Sequence, residues 1–370
     1  MHIISDMRKY IVIILAAVAS LYSCRTKTLP PRPTIPLVET IARDTSGLAE
    51  LVRMAGASGS AGSIAIVGEP AQTVTLARLF QGIDAADNID GREKRDSLPD
   101  FAGEQIDVIL DVTNAPYGRM LPGGLDSLRE AAVQGAMFAW DSTCLKYAAG
   151  RDKLRKSRAK ILIFSSPLHS AYGLFDVDTL RQLCSGKCFL ATPVETSLQN
   201  AVNHGARNIA VWASREVRTS GAYESAYNQM GLEGSVSVIS PDPALDVRTE
   251  LRDLLRQYRA TGKQLDALVL TEYGVDTAPL QSELQLIRSS VTEEDQALSR
   301  ILAQDFAIID PGTSLTGAVY RYMRGGNLFT HRIALPAVRW FETAESNVGD
   351  PAIVEVGTSY VLQTYVQDFD

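Results

Sequence analysis

Histidine and cysteine are scarce, with four of each in a chain of 370 residues. A metal centre needs several such ligands at suitable spacing, and these do not supply it, so neither metal nor cofactor is expected. No run of lysine or arginine occurs, and the formal net charge is −7. That mildly acidic balance gives no footprint for nucleic acid or anionic lipid. Long apolar runs are missing too: Ile11 to Leu21 covers only about half of the ~20 residues that span a bilayer, which argues against a permanent transmembrane helix.

The start of the chain has a different logic. Arg8 and Lys9 precede the apolar run, and Leu21-Tyr-Ser leads into Cys24, the order of a secretory signal ending in a lipobox. Residues 1–23 are read as a signal peptide, with Met7 an alternative start, and Cys24 as the lipidated residue that holds the protein on a membrane surface. Arg25 favours an outer membrane where the cell has one. The plainer alternative is an ordinary cleaved signal in which Cys24 has no role. Removing Asp6, Arg8 and Lys9 with the signal takes the net charge from −7 to −8. Outside the cytoplasm Cys184 and Cys188, separated by Ser-Gly-Lys, either close a small disulfide loop or stay as two buried thiols, since so short a span is tight for a bridge.

With 45% hydrophobic and 21% charged residues, the chain suffices for a large core or two lobes. Pro30, Pro31, Pro33 and Pro36 predict an extended tether, followed by helical residues 37–54 and a small-residue break over 56–62. The folded body begins at Ser63. Ser63 to Val67, Ile106 to Leu110, Lys160 to Phe164, Asn208 to Trp212, Ala267 to Leu270 and Phe306 to Ile309 read as strands buried on both faces, and helices fill the gaps. Val247, Leu251, Leu254, Leu255 and Tyr258 share one helical face. Thr192-Pro-Val-Glu195 reads as a capping box, and Thr292 to Asp295 starts a helix through Ala303. Ala85 to Phe101 is polar and predicts an exposed loop. Asn327 to Ala334 reads as a strand or a closing helix. Ala352 to Gln367 reads as an added strand pair that covers a sheet edge or forms an interface, which leaves a homodimer open.

Two segments look like copies of two others. Ser63 to Thr73 and Asn208 to Glu216 each run strand, polar turn, helix, while Lys160 to Ser166 and Asp266 to Glu272 each end an apolar strand at a short polar tip. The fold class is therefore α/β, with two similar lobes of mainly parallel sheet related by a pseudo-twofold and their strand tips facing one cleft. Residues 63–188 with 309–345 make the first lobe, 189–308 the second, 24–62 the tether and short helix, and 346–370 a C-terminal extension.

Read in order, these pieces resemble glutamate racemase, within the aspartate/glutamate racemase superfamily, over Ser63 to Met323. Asp111-Val-Thr-Asn-Ala-Pro-Tyr117-Gly118 is similar to the family's Asp-Thr-Ala-x-x-Pro-Tyr-Gly strand end. Ala213-Ser-Arg-Glu-Val-Arg-Thr-Ser220-Gly-Ala-Tyr223 resembles its Ala-Thr-x-x-Thr-Val-x-Ser-x-x-Tyr turn, and Ile308-Ile-Asp-Pro-Gly312 its Ile-Asp-Ser-Gly segment. The resemblance implies a catalytic cysteine on each of two strand tips. Here those tips carry Ser166, in Ser165-Ser-Pro-Leu-His169-Ser170, and Glu272, in Thr271-Glu-Tyr273. The family's early Asp-Ser-Gly falls on Gly68-Glu69-Pro70.

Racemisation without a cofactor removes the α-proton on one face and returns a proton on the other, so it needs two bases of tunable pKa. Thiols suit this, with an unperturbed pKa of ~8.5 that neighbours can lower. A serine hydroxyl does not, unless a base activates it. Export to an oxidising compartment, where such thiols are vulnerable, fits their loss.

One reading is a binding protein that holds a small ligand in the cleft, through Gly68, Glu69, Thr113, Asn114, Tyr117, Gly118, Ser166, His169, Ser214, Ser220, Glu272 and Tyr273. Glu69 and Glu272 would repel a dicarboxylate, so a neutral or amine-bearing ligand, including a cell-wall fragment, is favoured. A second reading is an isomerase with rewired bases, Glu272 acting with His169 or Glu69. A hydrolase built on Ser166 and His169 lacks an accompanying oxyanion-hole glycine pattern. A solute receptor of the type I periplasmic binding-protein kind shares the two-lobed pattern. It is distinguished by its crossovers, because the racemase resemblance predicts that the chain leaves the first lobe near Cys188 and returns near Ile309. His331 is read as structural.

Overall fold

The computed structural model describes residues 33–366 apart from 46, 122–124, 149, 245, 347 and 348. The expected signal peptide, Cys24 and most of the proline-rich tether lie outside the described residues.

Strands β1 (Ser63–Gly68), β2 (Gln105–Leu110), β3 (Thr143–Leu145), β4 (Lys153–Arg155), β5 (Ala159–Phe164) and β6 (Phe189–Ala191) come first in the chain. β7 (Asn208–Trp212), β8 (Ser235–Ile239), β9 (Leu265–Leu270) and β10 (Leu302–Ile309) form a separate sheet, and β11 (Ala337–Glu345) and β12 (Pro351–Val356) return to the first. The described strand orders are β4-β3-β12-β11-β2-β1-β5-β6 and β10-β9-β7-β8. Within the first sheet, β2-β1-β5-β6 is parallel throughout, and β8-β7-β9-β10 of the second is parallel in the same order. The two lobes thus repeat one topology. In each, the order reverses beside the first strand, and the crevice outside the strand ends at such a reversal is where α/β sheets place ligands.

The sequence explains these elements locally. Every residue of β1 and β5 is buried, as apolar strands covered on both faces require. On the helix Val247–Arg259, Leu251, Leu254, Leu255 and Tyr258 are all fully buried against the second sheet, each burial contributing roughly 1.5–3 kcal/mol. Asp246 caps that helix, accepting from the amides of Arg248 and Thr249. The chain leaves the first sheet after Ala191 and returns after Ile309. The two crossing helices, Pro193–Asn203 and Pro311–Gly325, pack on each other, with Asn200 Nδ2 donating to Ser314 Oγ at 2.9 Å.

Several expectations are corrected. Residues 189–191, expected in the second lobe, form β6 of the first sheet, because Leu190 and Ala191 pair with Leu162 and Ile163. β10 begins at Leu302, so the helix from Thr292 stops at Ile301. Thr192 does not cap its helix through a backbone amide; its hydroxyl donates to Glu195 instead. Residues 327–336 have no helix or strand. The C-terminal stretch gives one strand, β12, and then the helix Thr358–Tyr365, because Val361 is drawn fully into the core beside Trp340. Cys144, Cys184 and Cys188 are free and buried, and burial pushes the Cys188 thiol up to about 12.

Two buried charge clusters pin the first lobe. Lys160 Nζ reaches Glu104 at 2.6 Å, the Leu328 carbonyl at 2.7 Å and the Ser60 carbonyl at 2.9 Å, while Glu104 also accepts from the Thr330 amide. Arg129 binds Asp176 through Nε at 2.7 Å and Nη2 at 2.8 Å. The same pair grips the incoming chain, Arg129 donating to the Pro33 carbonyl and Asp176 accepting from the Ile35 amide. Ile35 and Val38 are then fully packed into the core.

Candidate ligand-binding cleft

The parallel registers bring the strand tips level. Val67 of β1 lies opposite Phe164 of β5, and Trp212 of β7 opposite Leu270 of β9. Two residues past these positions come Glu69 and Ser166 in the first lobe, and Ser214 and Glu272 in the second. Each lobe therefore presents one carboxylate and one hydroxyl, on exchanged strands. All four line a single cavity of 420 Å³, together with Gln72, Gly118, Arg119 and Glu216.

Glu69 is half-buried and accepts from the Tyr117 amide at 2.8 Å. Burial pushes its carboxyl above the usual range against that bond, with the negative charges of Glu272, Asp111 and Glu216 adding to the push. Glu272 accepts from Gln72 Nε2 at 3.1 Å, an interaction that spans the two lobes. Crowding by protein atoms raises its carboxyl too, with the Gln72 amide opposing. Of the two, Glu272 stands nearer the solvent-facing rim and is better screened by water. Ser166 is only 1% exposed, and its Oγ caps the helix Pro167–Tyr172 by accepting from the Leu168 amide at 3.3 Å. Ser214 does the same for the helix Arg215–Ser220, accepting from the Val217 amide at 3.3 Å.

The remaining expected residues lie elsewhere. His169 is fully buried, its ring 4.4 Å from that of Tyr117 and 4.9 Å from that of Phe164, and neither ring nitrogen has a hydrogen-bond partner. Burial pulls its pKa down to about 3, so it is a neutral core ring and not a base for the cleft. Tyr117 is also buried; its hydroxyl donates to Asp111 at 3.0 Å, and only its amide serves the site. Thr113 and Asn114 turn toward Asp111 and Thr343 and line a separate cavity of about 20 Å³. Ser220 is spent on the Val217 carbonyl at 2.6 Å. Gly68 is a packing position, since a Cβ there would collide with Ser165 Oγ. Gly118 lets the lobes approach, as its Cβ would stand 3.0 Å from Glu216 Cγ. Tyr273 is buried outside the cleft lining and donates to the Ser165 carbonyl at 2.7 Å.

Gln72, Arg119 and Glu216 line the cleft without having been foreseen. A signal for two of them was there: Gln72 lies three residues past Glu69, and Glu216 two past Ser214, both in the first turn of the helix that follows a strand tip. Beyond Ser214, Glu216 and Glu272 the cleft adjoins a hollow of 680 Å³ over the tips of the second sheet. Among the described residues no group of three or more His, Cys, Asp or Glu is placed to hold a metal ion, and no helix is long and apolar enough to cross a membrane.

No family model matches the chain, and no curated protein matches it. Solved structures to which it is similar are glutamate racemases and aspartate/glutamate racemase homologues. Glutamate racemase isoform RacE1 from Bacillus anthracis is 14% identical, with a TM-score of 0.48 over 76% of this chain and 89% of that one. Glutamate racemase from Francisella tularensis, in complex with D-glutamate, is 15% identical with a TM-score of 0.48, over 83% of this chain and 96% of that one. An aspartate racemase homologue from Pyrococcus horikoshii is 12% identical with a TM-score of 0.40, over 71% of this chain and 99% of that one.

Proposed function

We propose that this protein is a racemase-like binding protein, exported and tethered through Cys24, that holds a small amine-bearing ligand between its lobes without racemising it. The observation that carries this reading is the fate of Ser166. At the tip where a proton-transferring group would stand, its hydroxyl is buried and committed to a helix cap, and such an oxygen has no proton chemistry near neutral pH. His169, three residues further along, is sealed in the core as a neutral ring and does not activate it. Carboxylates at Glu69, Glu216 and Glu272 give the cleft its acidic lining, which favours an ammonium over a dicarboxylate.

An isomerase using Glu69 and Glu272 is the second reading, favoured by one observation: both line the same cavity, where burial raises the Glu69 carboxyl above its ordinary range and raises that of the more exposed Glu272 in the same direction. One experiment separates the two. Thermal shift with D- and L-amino acids and wall-derived fragments is paired with Cα exchange in heavy water. Stabilisation without exchange supports the binding protein, whereas exchange that disappears on Glu272→Gln establishes the isomerase. The tether is tested by fatty-acid labelling, with incorporation expected in the full chain and lost on Cys24→Ser.

A further inference from the structure

Gln72 and Glu272 stand on opposite lobes, and both line the cleft that their hydrogen bond crosses. Gln72 lies in the first turn of the helix Pro70–Gly82, with Thr75 on the same face three residues on. Thr75 meets the turn after Glu272, since a Cβ built on Gly274 would stand 3.2 Å from Thr75 Cγ2. One face of a first-lobe helix therefore rests on the tip of β9.

The pairing at that contact is only half made. Gln72 Nε2 donates to Glu272 Oε2 at 3.1 Å, while Gln72 Oε1, on the same amide, is buried and has no donor among the described residues. An ionised carboxylate only accepts, so it cannot supply that donor. A neutral carboxyl has one donor and one acceptor, the complement of a primary amide, and it can make both bonds at once. Leaving a buried acceptor unpaired is costly, which favours the doubly bonded form.

The surroundings act in the same direction. Glu69 faces Glu272 from beyond β1, Arg119 from the turn at Tyr117, and Glu216, Arg215 and Arg218 from the helix after β7. Asp242 and Glu250 line the adjoining hollow, Tyr223 approaches from the helix Ala222–Gln229, and Asp310, past β10, faces the neighbouring Tyr273. Crowding by protein atoms favours the neutral acid, and the Gln72 amide opposes it; none of the guanidiniums holds Glu272 ionised. Glu272 keeps an exposed surface, so its proton exchanges with bulk water.

We infer that Gln72 and Glu272 form a proton-operated latch across the cleft: the neutral acid closes it with two reciprocal hydrogen bonds, and the carboxylate keeps one and is free to take a ligand's ammonium. The ammonium step rests on the binding reading above, whereas the latch itself needs no ligand. Spin labels on Glu130→Cys and Ala260→Cys, exposed positions of the first and second lobes, report the interlobe distance in the full chain, whose three described cysteines are buried. The distance distribution is expected to narrow about twofold from pH 7.5 to pH 4.5. Glu272→Gln, which offers a donor and an acceptor at every pH, is expected to be narrow at both, and Gln72→Leu broad at both. A width unmoved by pH in the unsubstituted pair, or narrowing that persists in a folded Gln72→Leu variant, overturns the latch. Calorimetric titration with D- and L-alanine separates this from the binding reading. Binding about tenfold weaker at pH 4.5 supports both. Equal affinity at the two pH values overturns the hold of the latch on the ligand, and no binding at either pH, with the narrowing intact, overturns the binding reading alone.

Discussion

Tyr273 donates its hydroxyl to the carbonyl oxygen of Ser165 at 2.7 Å, tying the tip of β9 to the tip of β5, its counterpart in the other lobe. Ser165 and Tyr273 are the chain neighbours of Ser166 and Glu272, so a bond between equivalent strands holds the two cleft-lining tips together. Tyr273→Phe would leave a buried carbonyl without its donor. A loss of about 1–3 kcal/mol is expected in urea unfolding, and the two lobes should separate more readily under limited proteolysis. An unchanged midpoint would show that the bridge has no energetic weight.

Glu272→Gln is expected to raise the melting temperature at pH 7.5 and leave it unchanged at pH 4. The sign follows from the direction of the shift: a carboxyl raised in the folded state contributes stability below its unfolded pKa and loses it as pH rises through the folded one. Gln removes that loss and still accepts from Gln72. A lower melting temperature at pH 7.5 would contradict the burial argument.

The buried imidazole gives the opposite slope. With its folded pKa drawn down to about 3 from an unfolded value of ~6.5, His169 binds its proton first in the unfolded chain. Stability is present above about pH 6.5 and declines toward about pH 3, at up to roughly 1.4 kcal/mol per pH unit. His169→Phe keeps a ring between Tyr117 and Phe164 and should flatten that decline. Denaturation midpoints at pH 4.5, 5.5 and 7.5, compared between the two proteins, measure it.

Lys160→Met strands Glu104, which is fully buried and keeps the Thr330 amide as a partner. A cost of about 3–5 kcal/mol is expected for breaking the pair. The double variant Lys160→Met with Glu104→Leu should recover part of it, and a double variant as unstable as the single one would mean that the strapped carbonyls, and not the charge, set the cost.

Much of this was legible in the sequence, for identifiable reasons. Strands buried on both faces, such as Ile161 to Phe164, advertise themselves through unbroken apolar residues. Short or half-exposed strands do not: β4 is Lys-Leu-Arg, and β8 reads Ser-Val-Ser-Val-Ile with only its last two residues buried. Positions just past strand ends found Glu69, Ser166, Ser214 and Glu272, because chain direction alone fixes them. That rule failed at His169 and Asn114, where the direction of a side chain decides the outcome. His169 points inward among aromatic rings, and Asn114 turns back to Asp111 at 2.9 Å. Tertiary packing of Val361 likewise made a helix of a stretch rich in strand-forming residues.

The grip of Arg129 and Asp176 on Pro33 and Ile35 also fixes an orientation. Asp176 lies in the first turn of its helix and Arg129 near the start of another. Both helices begin after chain that has left the carboxyl ends of β5 and β2, the ends from which Ser166 and Tyr117 reach the cleft. The amino-terminal segment is therefore held between these two helices of the first lobe. Ile35 and Val38 are thereby part of the first lobe's own core and not a length of chain that merely leads to it.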